Sequence, residues 1–468
     1  MVNQFLADKI RAEFGLIPTQ QQNELIDQLS QFICSPEQNL VFLLKGCAGT
    51  GKTSLVSALI RTLVAFQQDV VLLAPTGRAA KVLSSYSGRS AFTIHRYIYR
   101  QKVVGELNGS FDLNFNRHKN AVFVVDEASM ISNGGSEGNF GSGRLLEDLL
   151  EYVYNGEGNR IIFVGDLGQL PPVGELMSPA LEKSGYEHCG FQVYESFLTD
   201  VVRQTEESGI LYNATNMRLL MPDYDGSLPE IVTESFTDIV KITGAELVEE
   251  IASAYSHYGM DDVIVISRSN KRVNVFNNGI RNMVLYREEE LTTGDMVMVV
   301  KNNYFWAKEI KELDFIANGD VAEVKRVRHH VDMYGFRFAD VLLYFPDYDV
   351  EIDAKIMLDV LQSEAPSLSY ADNNRLYQAV EADYADVTNK RERYKQMKEN
   401  PYLNALQVKF AYAVTCHKAQ GGQWSCVFLD KGFVPEEQRD VDFLRWLYTA
   451  FTRATQKVYL VNWDEKTD

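Results

Sequence analysis

The sequence contains few cysteines, and no two of them have the spacing of a metal-binding or redox pair. The five are Cys34, Cys47, Cys189, Cys416 and Cys426. An odd number without a CxxC pair argues against a disulfide framework and against a zinc ribbon. We therefore expect a protein of the reducing cytoplasm.

Long apolar runs are also missing. No stretch reaches the roughly 20 consecutive apolar residues that span a bilayer. The first residues, MVNQFLADKI, lack the basic segment followed by an apolar one that is typical of a signal peptide. The expectation is a protein without a membrane partner.

Basic residues are outnumbered: 46 lysines and arginines stand against 64 acids, for a net charge of −18. Proteins that bind nucleic acid usually carry a basic footprint. Binding, however, depends on the local field in a groove rather than on the sum over the chain. The acids are densest between Phe345 and Val387, whereas the segment 78–117 is basic. The charge therefore lowers the expectation of a nucleic-acid partner without excluding one.

Short runs of Val, Ile, Leu and Phe are frequent and typical of buried strands. Helical patterns lie between several of them, and strand–helix alternation indicates parallel sheets covered by helices. The runs fall into two sets, which predicts two α/β domains. The first set is 40–45, 69–74, 121–126 and 160–166; the second is 262–267, 410–415, 425–430 and 456–461.

Two insertions interrupt this alternation. The segment from Tyr97 to His118 contains QKVVGEL, the turn signal NGS and FDLNFN, a pattern that predicts a β-hairpin. A larger segment, 293–406, opens with strand-like GDMVMVV and DVAEVKRV and closes with a helical stretch from Tyr370 to Asn400. The Gly/Ser-rich segment 132–143 is typical of a mobile loop.

The segment GCAGTGKT (46–53) follows a predicted strand and opens a predicted helix, the context that a P-loop requires. Its backbone curls so that N–H groups face phosphate oxygens, and the helix N-terminus adds favourable partial charge. Lys52 is then expected to reach the β- and γ-phosphates of ATP, and Thr53 to hold Mg²⁺. The other loop residues predicted to bind nucleotide are Gly46, Ala48, Gly49, Thr50 and Gly51.

The remaining groups that ATP hydrolysis needs follow other strands. Asp126 ends the run VFVVD and is predicted to hold Mg²⁺, with Glu127 as general base. Gln169, in GDLGQLPPV, follows another strand, where it can sense the γ-phosphate or orient water. Arg203 in LTDVVRQT and Arg453 in YTAFTRAT are candidates for stabilising the transition state.

Together these segments resemble the superfamily 1 helicases, specifically the RecD-like and Dda-like branch that moves 5′ to 3′. The resemblance covers almost the whole chain, with the motifs in the family's order. In that order they are LIPTQQQ (Q motif), GCAGTGKT (motif I), APTGRAAKVL (Ia), FTIH (the Thr–x–His element), VVDEASMI (II), GDLGQLPPV (III), LTDVVRQ (IV), AVTCHKAQGGQW (V) and LYTAFTRA (VI).

The resemblance implies an α/β fold with two RecA-like parallel-sheet P-loop domains and ATP bound between them. It places the first domain at 1–200, with the hairpin insertion at about 97–118. The second domain is then 201–292 together with 407–468. An SH3-like, barrel-like domain with a helical part occupies the insertion at 293–406.

The resemblance also implies site residues. Gln22 would read adenine, and Gly421 of motif V would contact nucleotide. Residues that would contact single-stranded DNA are Thr76, Thr93 and His95 in the first domain and Thr415 and His417 in the second. Hydroxyls and imidazoles suit this purpose, because they donate to phosphate oxygens without reading sequence. Motif V departs from the family pattern, with Ala419 where Ser is commoner and Gln423 where an acidic residue often occurs.

The implied function is an ATP-dependent DNA helicase that acts at junctions of single and double strands, in DNA repair or recombination, as a monomer. The acidic first half of the helical insertion should repel DNA and is a candidate contact for a protein partner. Three alternatives stay open: RNA as the track, a P-loop switch that recruits partners, and a subunit of a larger recombination nuclease.

Overall fold

The structure, a computed structural model, describes residues 2–101, 111–134, 141–201, 208–308, 310, 313 and 315–463. The chain divides into two compact units. Unit 1 comprises Met1–Ile239, Gln420–Gln423 and Val434–Ala454, and unit 2 comprises Val240–Ala419, Trp424–Phe433 and Thr455–Asp468. Within the described ranges, no helix has both the length and the apolar character needed to cross a bilayer.

The first half of the chain alternates helices and strands. In chain order these are α1 (Val2–Phe14), α2 (Gln20–Cys34), β1 (Leu40–Gly46), α3 (Lys52–Ala65), β2 (Val70–Ala74), α4 (Gly77–Ser87), β3 (Phe92–Thr93), α5 (Ile94–Ile98), β4 (Tyr99–Gln101), β5 (Phe111–Leu113), β6 (Val122–Val125), α6 (Leu145–Tyr154), β7 (Arg160–Gly165), α7 (Lys183–His188), β8 (Gln192–Leu198) and α8 (Gly209–Leu220).

The second half begins with the same alternation and then turns to longer strands. Its elements are β9 (Ile239–Ile242), α9 (Leu247–Tyr258), β10 (Val263–Ser267), α10 (Asn270–Gly279), β11 (Met296–Val299), β12 (Val321–Met333), β13 (Phe336–Phe345), β14 (Val350–Met357), α11 (Leu358–Leu361), α12 (Tyr370–Asp383), α13 (Lys390–Lys398), β15 (Leu406–Phe410), β16 (Ala413–Thr415), α14 (Cys416–Ala419), β17 (Trp424–Asp430), α15 (Val441–Phe451) and β18 (Ala454–Val461).

Unit 1 is built on a six-stranded parallel sheet of order β3-β2-β6-β7-β1-β8. Every residue of β1 is buried, as expected for a strand covered by helices on both faces of the sheet. Helices α1, α2 and α3 pack on one face of the sheet, where Leu25 of α2 and Leu59 of α3 share an apolar cluster with Phe42 of β1. Parallel strands end at one edge of a sheet, so the segments after β1, β6 and β7 lie close together there.

Unit 2 contains a five-stranded sheet of order β16-β10-β17-β18-β9 and a closed barrel of β11, β12, β13, β14 and β15. In the sheet, β10 pairs in parallel with both β16 and β17. The barrel is antiparallel except where β14 meets β15. Two sheets of the RecA type and a barrel-like insertion confirm the predicted fold class.

One predicted strand is wrong. The run 410–415 was expected as a single strand of the second sheet, but it divides into the end of β15 and the whole of β16. The Asn277 side chain binds the backbone at the corner between β15 and β16. Its amide nitrogen donates to the carbonyl oxygens of Phe410 and Ala413, both at 3.1 Å, and its oxygen accepts the Ala413 N–H at 2.7 Å. The chain therefore passes from barrel to sheet within an apparently continuous apolar run.

The structure describes parts of the predicted hairpin and resolves the predicted helical stretch into separate helices. Strands β4 and β5 pair antiparallel, as a hairpin requires, and residues 102–110 between them lie outside the described residues. Part of the predicted mobile loop, 135–140, also lies outside them. The helical stretch after residue 370 is two helices, α12 and α13. The proposed domain boundaries stay predictions, and helices α8 and α15 group with unit 1.

Candidate functional site

The loop between β1 and α3 has the backbone of a phosphate-binding loop. Gly49 and Gly51 adopt φ values of 77° and 80°, which side-chain-bearing residues rarely adopt. Lys52 folds back over this loop: its Nζ donates to the carbonyl oxygens of Gly46 at 2.5 Å and Cys47 at 2.7 Å. A Cβ at Gly46 would come within 2.7 Å of the Lys52 Cδ, so a side chain there would displace the folded-back lysine.

Two carboxylates follow β6 beside this loop. Asp126 accepts hydrogen bonds from the Tyr86 hydroxyl and, at 2.9 Å, from the Glu127 N–H. Burial raises the pKa of both carboxyls, while the hydrogen bond from Tyr86 opposes this for Asp126 and the charge of Arg453 opposes it for Glu127. Glu127 has a φ of 52°, a left-handed conformation that costs a non-glycine residue about 1–3 kcal/mol and often occurs at functional sites.

Arg453 lies two residues after the end of α15 and is 3% exposed. Its Nη1 lies 3.7 Å from a Glu127 carboxylate oxygen and 3.2 Å from the Gly422 carbonyl oxygen, to which it donates. Its Nε donates to the Thr449 carbonyl oxygen at 3.1 Å. The structure therefore brings this predicted arginine to the predicted general base, whereas Arg203 lies outside the described residues.

Gln169 follows β7 and is buried at the same edge of the sheet. Within the described ranges its side-chain oxygen has no hydrogen-bond partner. The adjacent backbone is anchored, because the Leu170 N–H donates to the Thr449 hydroxyl at 2.9 Å and the Gln420 amide donates to the Leu170 carbonyl at 2.7 Å. A buried acceptor without a partner on a rigid loop fits a group that orients water.

Gln22 contacts the P-loop through a hydrogen bond, and Gly421 packs against α4. The Gln22 side chain accepts from the Thr19 N–H at 3.0 Å and donates to the Thr50 carbonyl oxygen at 3.0 Å, so it joins the start of α2 to the P-loop. Gly421 has a φ of 73°, and a Cβ there would meet the Ala79 Cβ at 2.8 Å. That Gln22 reads adenine and that Gly421 contacts nucleotide stay predictions.

The predicted strand-contact residues of unit 1 lie at helix starts. The hydroxyls of Thr76 and Thr93 accept backbone N–H groups as N-caps of α4 and α5. Burial lowers the pKa of His95, in α5, to about 4, so its imidazole is neutral at pH 7 and donates without a positive charge. In unit 2, Thr415 ends β16 and His417 lies exposed in α14. Their contacts with DNA stay predictions.

Three residues of this site were not singled out from the sequence. Tyr86 binds Asp126, and Tyr448 donates to Asp166 at 2.7 Å. Asp166 also lies 3.7 Å from the Lys52 Nζ. Asp166 and Tyr448 lie inside recognised motifs, so their positions offered a signal, whereas nothing in the sequence around Tyr86 distinguishes it.

The donor set suits a magnesium–nucleotide complex. Among the described residues, no group of three or more His, Cys, Asp or Glu side chains could hold a metal ion alone. Mg²⁺ with a nucleotide usually takes one or two protein ligands and completes its shell with phosphates and water. Asp126 at the end of β6 and Thr53 at the start of α3 are oxygen donors of this kind. Taken together, the loop, the carboxylates and Arg453 define a P-loop nucleoside triphosphatase.

Two family models match parts of this chain. The AAA-domain model AAA_30 matches residues 19–218, and the model of the UvrD-like helicase C-terminal domain matches residues 410–461. The chain is thus similar to helicases in both matched segments, and the relatives dda and RecD2 agree with the predicted resemblance to superfamily 1 helicases of the RecD and Dda type.

Individual relatives are distant. The chain is 27% identical to the ATP-dependent DNA helicase dda of Enterobacteria phage T4, over 55% of this chain and 55% of that protein. It is 24% identical to the ATP-dependent RecD2 DNA helicase of Deinococcus radiodurans, over 96% of this chain and 49% of that protein. It therefore spans about half the length of these two relatives. Protein R530 of Acanthamoeba polyphaga mimivirus is 22% identical over 93% of this chain and 97% of its own length.

Among solved structures, a Bacteroides Pif1 helicase in complex with ADP-AlF3 and single-stranded DNA covers 96% of this chain and 92% of its own, with a TM-score of 0.46 and 17% sequence identity.

Proposed function

We propose that this protein is an ATP-dependent DNA helicase that moves 5′ to 3′ along single-stranded DNA. One observation carries the ATPase part: Lys52, Glu127 and Arg453 come together at the carboxyl edge of one parallel sheet, with Glu127 and Arg453 3.7 Å apart. The names of the relatives dda and RecD2, both ATP-dependent DNA helicases, support DNA as the track. The direction of travel rests on the resemblance of the motifs alone.

The chain's own residues supply the groups that hydrolysis requires. Glu127, whose carboxylate lies 3.7 Å from the Arg453 guanidinium, takes the proton of the attacking water as general base. Lys52 and Arg453 offset the negative charge that develops on the transferred phosphoryl group. The unpartnered oxygen of Gln169 accepts a hydrogen bond from that water and orients it.

Mg²⁺ is the expected cofactor. Thr53 and Asp126 would hold it, and when bound it neutralises charge on the β- and γ-phosphates. The Tyr86 hydroxyl, which donates to Asp126, keeps the carboxylate in place and so acts as a positioning residue.

We also propose the setting in which this motor works. Free cysteines throughout the described residues support the reducing cytoplasm. DNA repair or recombination, and action at junctions of single and double strands, are proposed from the resemblance of the motifs to those of the RecD-like and Dda-like helicases. A monomer is the simplest state for a chain that holds its ATPase groups in one unit. The acidic segment that leads into α12 supports a protein partner there.

Strong stimulation of ATP hydrolysis by oligo-dT is the expected result that tests the proposal. Hydrolysis is measured with and without oligo-dT, and with oligo-U as the RNA counterpart. Stimulation by DNA that exceeds stimulation by RNA supports the helicase, and unwinding of duplexes with 5′ rather than 3′ tails supports the direction. Stimulation by RNA alone would favour an RNA track. Slow turnover that ignores both strands would favour a P-loop switch.

Replacing Arg453 with lysine should lower oligo-dT-stimulated turnover about 100-fold, the loss typical of one misplaced transition-state donor. Lysine keeps the charge but loses the planar fork, whose Nε, Nη1 and Nη2 donate to the Thr449 carbonyl, the Gly422 carbonyl and the Thr452 hydroxyl. Binding of oligo-dT without nucleotide, measured by fluorescence anisotropy, should not change.

The matched control is Arg445→Lys in α15, the helix that precedes Arg453, where the guanidinium donates to Asp442 and the Leu176 carbonyl. Its turnover should stay near that of the unmodified protein. Normal turnover in the Arg453→Lys variant would contradict the assignment.

A further inference from the structure

One backbone donor of the P-loop already has a partner from elsewhere in unit 1. The Ala48 N–H donates to the hydroxyl oxygen of Tyr448, on α15, at 2.7 Å. Ala48 is among the loop residues whose N–H groups are expected to face phosphate. Tyr448 is 1% exposed, so its hydroxyl is a built part of the site rather than a surface group.

The direction of these hydrogen bonds is set by chemistry. A phenol has one O–H donor and two acceptor lone pairs, and an ionised carboxylate only accepts. The Tyr448 hydroxyl therefore donates to the Asp166 Oδ2 at 2.7 Å, which leaves a lone pair for the Ala48 N–H. Burial, followed by the charge of Asp166, raises the pKa of Tyr448 well above its ordinary value, so the donor stays protonated.

The same carboxylate oxygen also faces the P-loop lysine. Asp166 Oδ2 lies 3.7 Å from the Lys52 Nζ. Its other oxygen accepts the Gly168 N–H at 2.9 Å. The Tyr448 ring packs on Gly168, where a Cβ would come within 3.0 Å of its Cε1. Tyr448 and Asp166 thus engage two groups that nucleotide phosphate needs, the Ala48 amide and the Lys52 ammonium.

We propose that Tyr448 is an internal ligand of the P-loop, whose hydroxyl holds the Ala48 amide until nucleotide phosphate displaces it. The inference rests on the proposed ATP site and adds that phosphate competes there with a side chain of this protein. Tyr448 is thus a positioning residue. Displacement of the Tyr448 hydroxyl would couple phosphate binding to α15, the helix that ends just before Arg453.

Thermodynamic linkage predicts that a variant without the Tyr448 hydroxyl binds nucleotide more tightly, whereas an ordinary structural defect would weaken nucleotide binding. If phosphate must break the bond between Ala48 and Tyr448, removing the hydroxyl strengthens nucleotide binding by what that bond contributes. A neutral hydrogen bond of typical net strength corresponds to about 3- to 10-fold. A variant that merely loosens the site would bind nucleotide more weakly.

The test is titration of ADP, and separately of inorganic pyrophosphate, into the full chain by calorimetry. Tyr448→Phe should bind both about 3- to 10-fold more tightly. Gly168→Ala, which displaces the ring while leaving the hydroxyl intact, should shift affinity in the same direction. Tyr186→Phe is the matched control, because Tyr186 is also buried and its hydroxyl donates to the Ala180 carbonyl at 2.9 Å. Its affinity should not change.

The outcomes separate the two claims. Unchanged or weaker binding by Tyr448→Phe, with normal binding by the unmodified chain, overturns the inference and leaves the ATP site standing. No binding of ADP by the unmodified chain overturns the proposed function together with the inference. Thermal unfolding without nucleotide shows whether each variant is folded at the temperature of titration.

Discussion

Replacing Lys52 with alanine should lower ATP turnover by three orders of magnitude or more, with and without oligo-dT. A cation placed on the transferred phosphoryl group contributes about 10³- to 10⁵-fold in phosphoryl transfer. Lys52 is held ready for this by the carbonyl oxygens of Gly46 and Cys47 at 2.5 Å and 2.7 Å. Without the ammonium, the phosphates would also face the Asp166 carboxylate uncompensated.

The measurement is steady-state ATP hydrolysis at saturating oligo-dT, together with calorimetric titration of ADP. Lys45→Ala is the matched control, because Lys45 is a buried lysine of the preceding strand that pairs with Glu195 at 2.5 Å. That control should retain turnover within a few-fold. If Lys52→Ala kept turnover within tenfold of the unmodified protein, the P-loop assignment would be wrong.

Replacing Glu127 with glutamine should separate hydrolysis from binding. A positioned general base contributes about 10²- to 10⁴-fold, so turnover should fall by about three orders of magnitude. Glutamine preserves the size of the side chain but cannot accept the proton of the attacking water. The affinity for ADP should change little, since the P-loop and Asp126 are untouched.

Hydrolysis in a single turnover and ADP titration together check this prediction. Glu195→Gln is a suitable control, because Glu195 is a glutamate of the same sheet, in β8, with a partner at Lys45. Equal losses of hydrolysis and of ADP affinity in Glu127→Gln would show that Glu127 supports the site structurally rather than as a base.

Much of the fold could be predicted because its signals are local. Fully buried strands are continuous apolar runs, and β1 and β17 are buried at every residue. The P-loop and the pair Asp126–Glu127 are recognisable because their function depends on a short stretch of backbone after one strand. The barrel-like insertion was also predicted from local strand patterns and family resemblance.

The run 410–415 shows where local signals fail. Its residues are mostly apolar on both sides of the division, so hydrophobicity could not show where barrel ends and sheet begins. The corner depends on the Asn277 amide, which is far away in sequence. A single polar side chain on α10 therefore fixes where β15 ends and β16 begins, because the backbone groups at a buried corner need hydrogen-bond partners.

The sequence by itself determined that this chain has a phosphate-binding loop, a pair of acids after a buried strand and motifs of a helicase. These depend on residue type and short spacing. Only the tertiary structure decided that Arg453 lies 3.7 Å from Glu127 and that the Tyr448 hydroxyl binds both Ala48 and Asp166. Such contacts join segments hundreds of residues apart in sequence. They form because helix α15 packs in unit 1, and the residues adjacent to Tyr448 and Arg453 in sequence do not determine that packing.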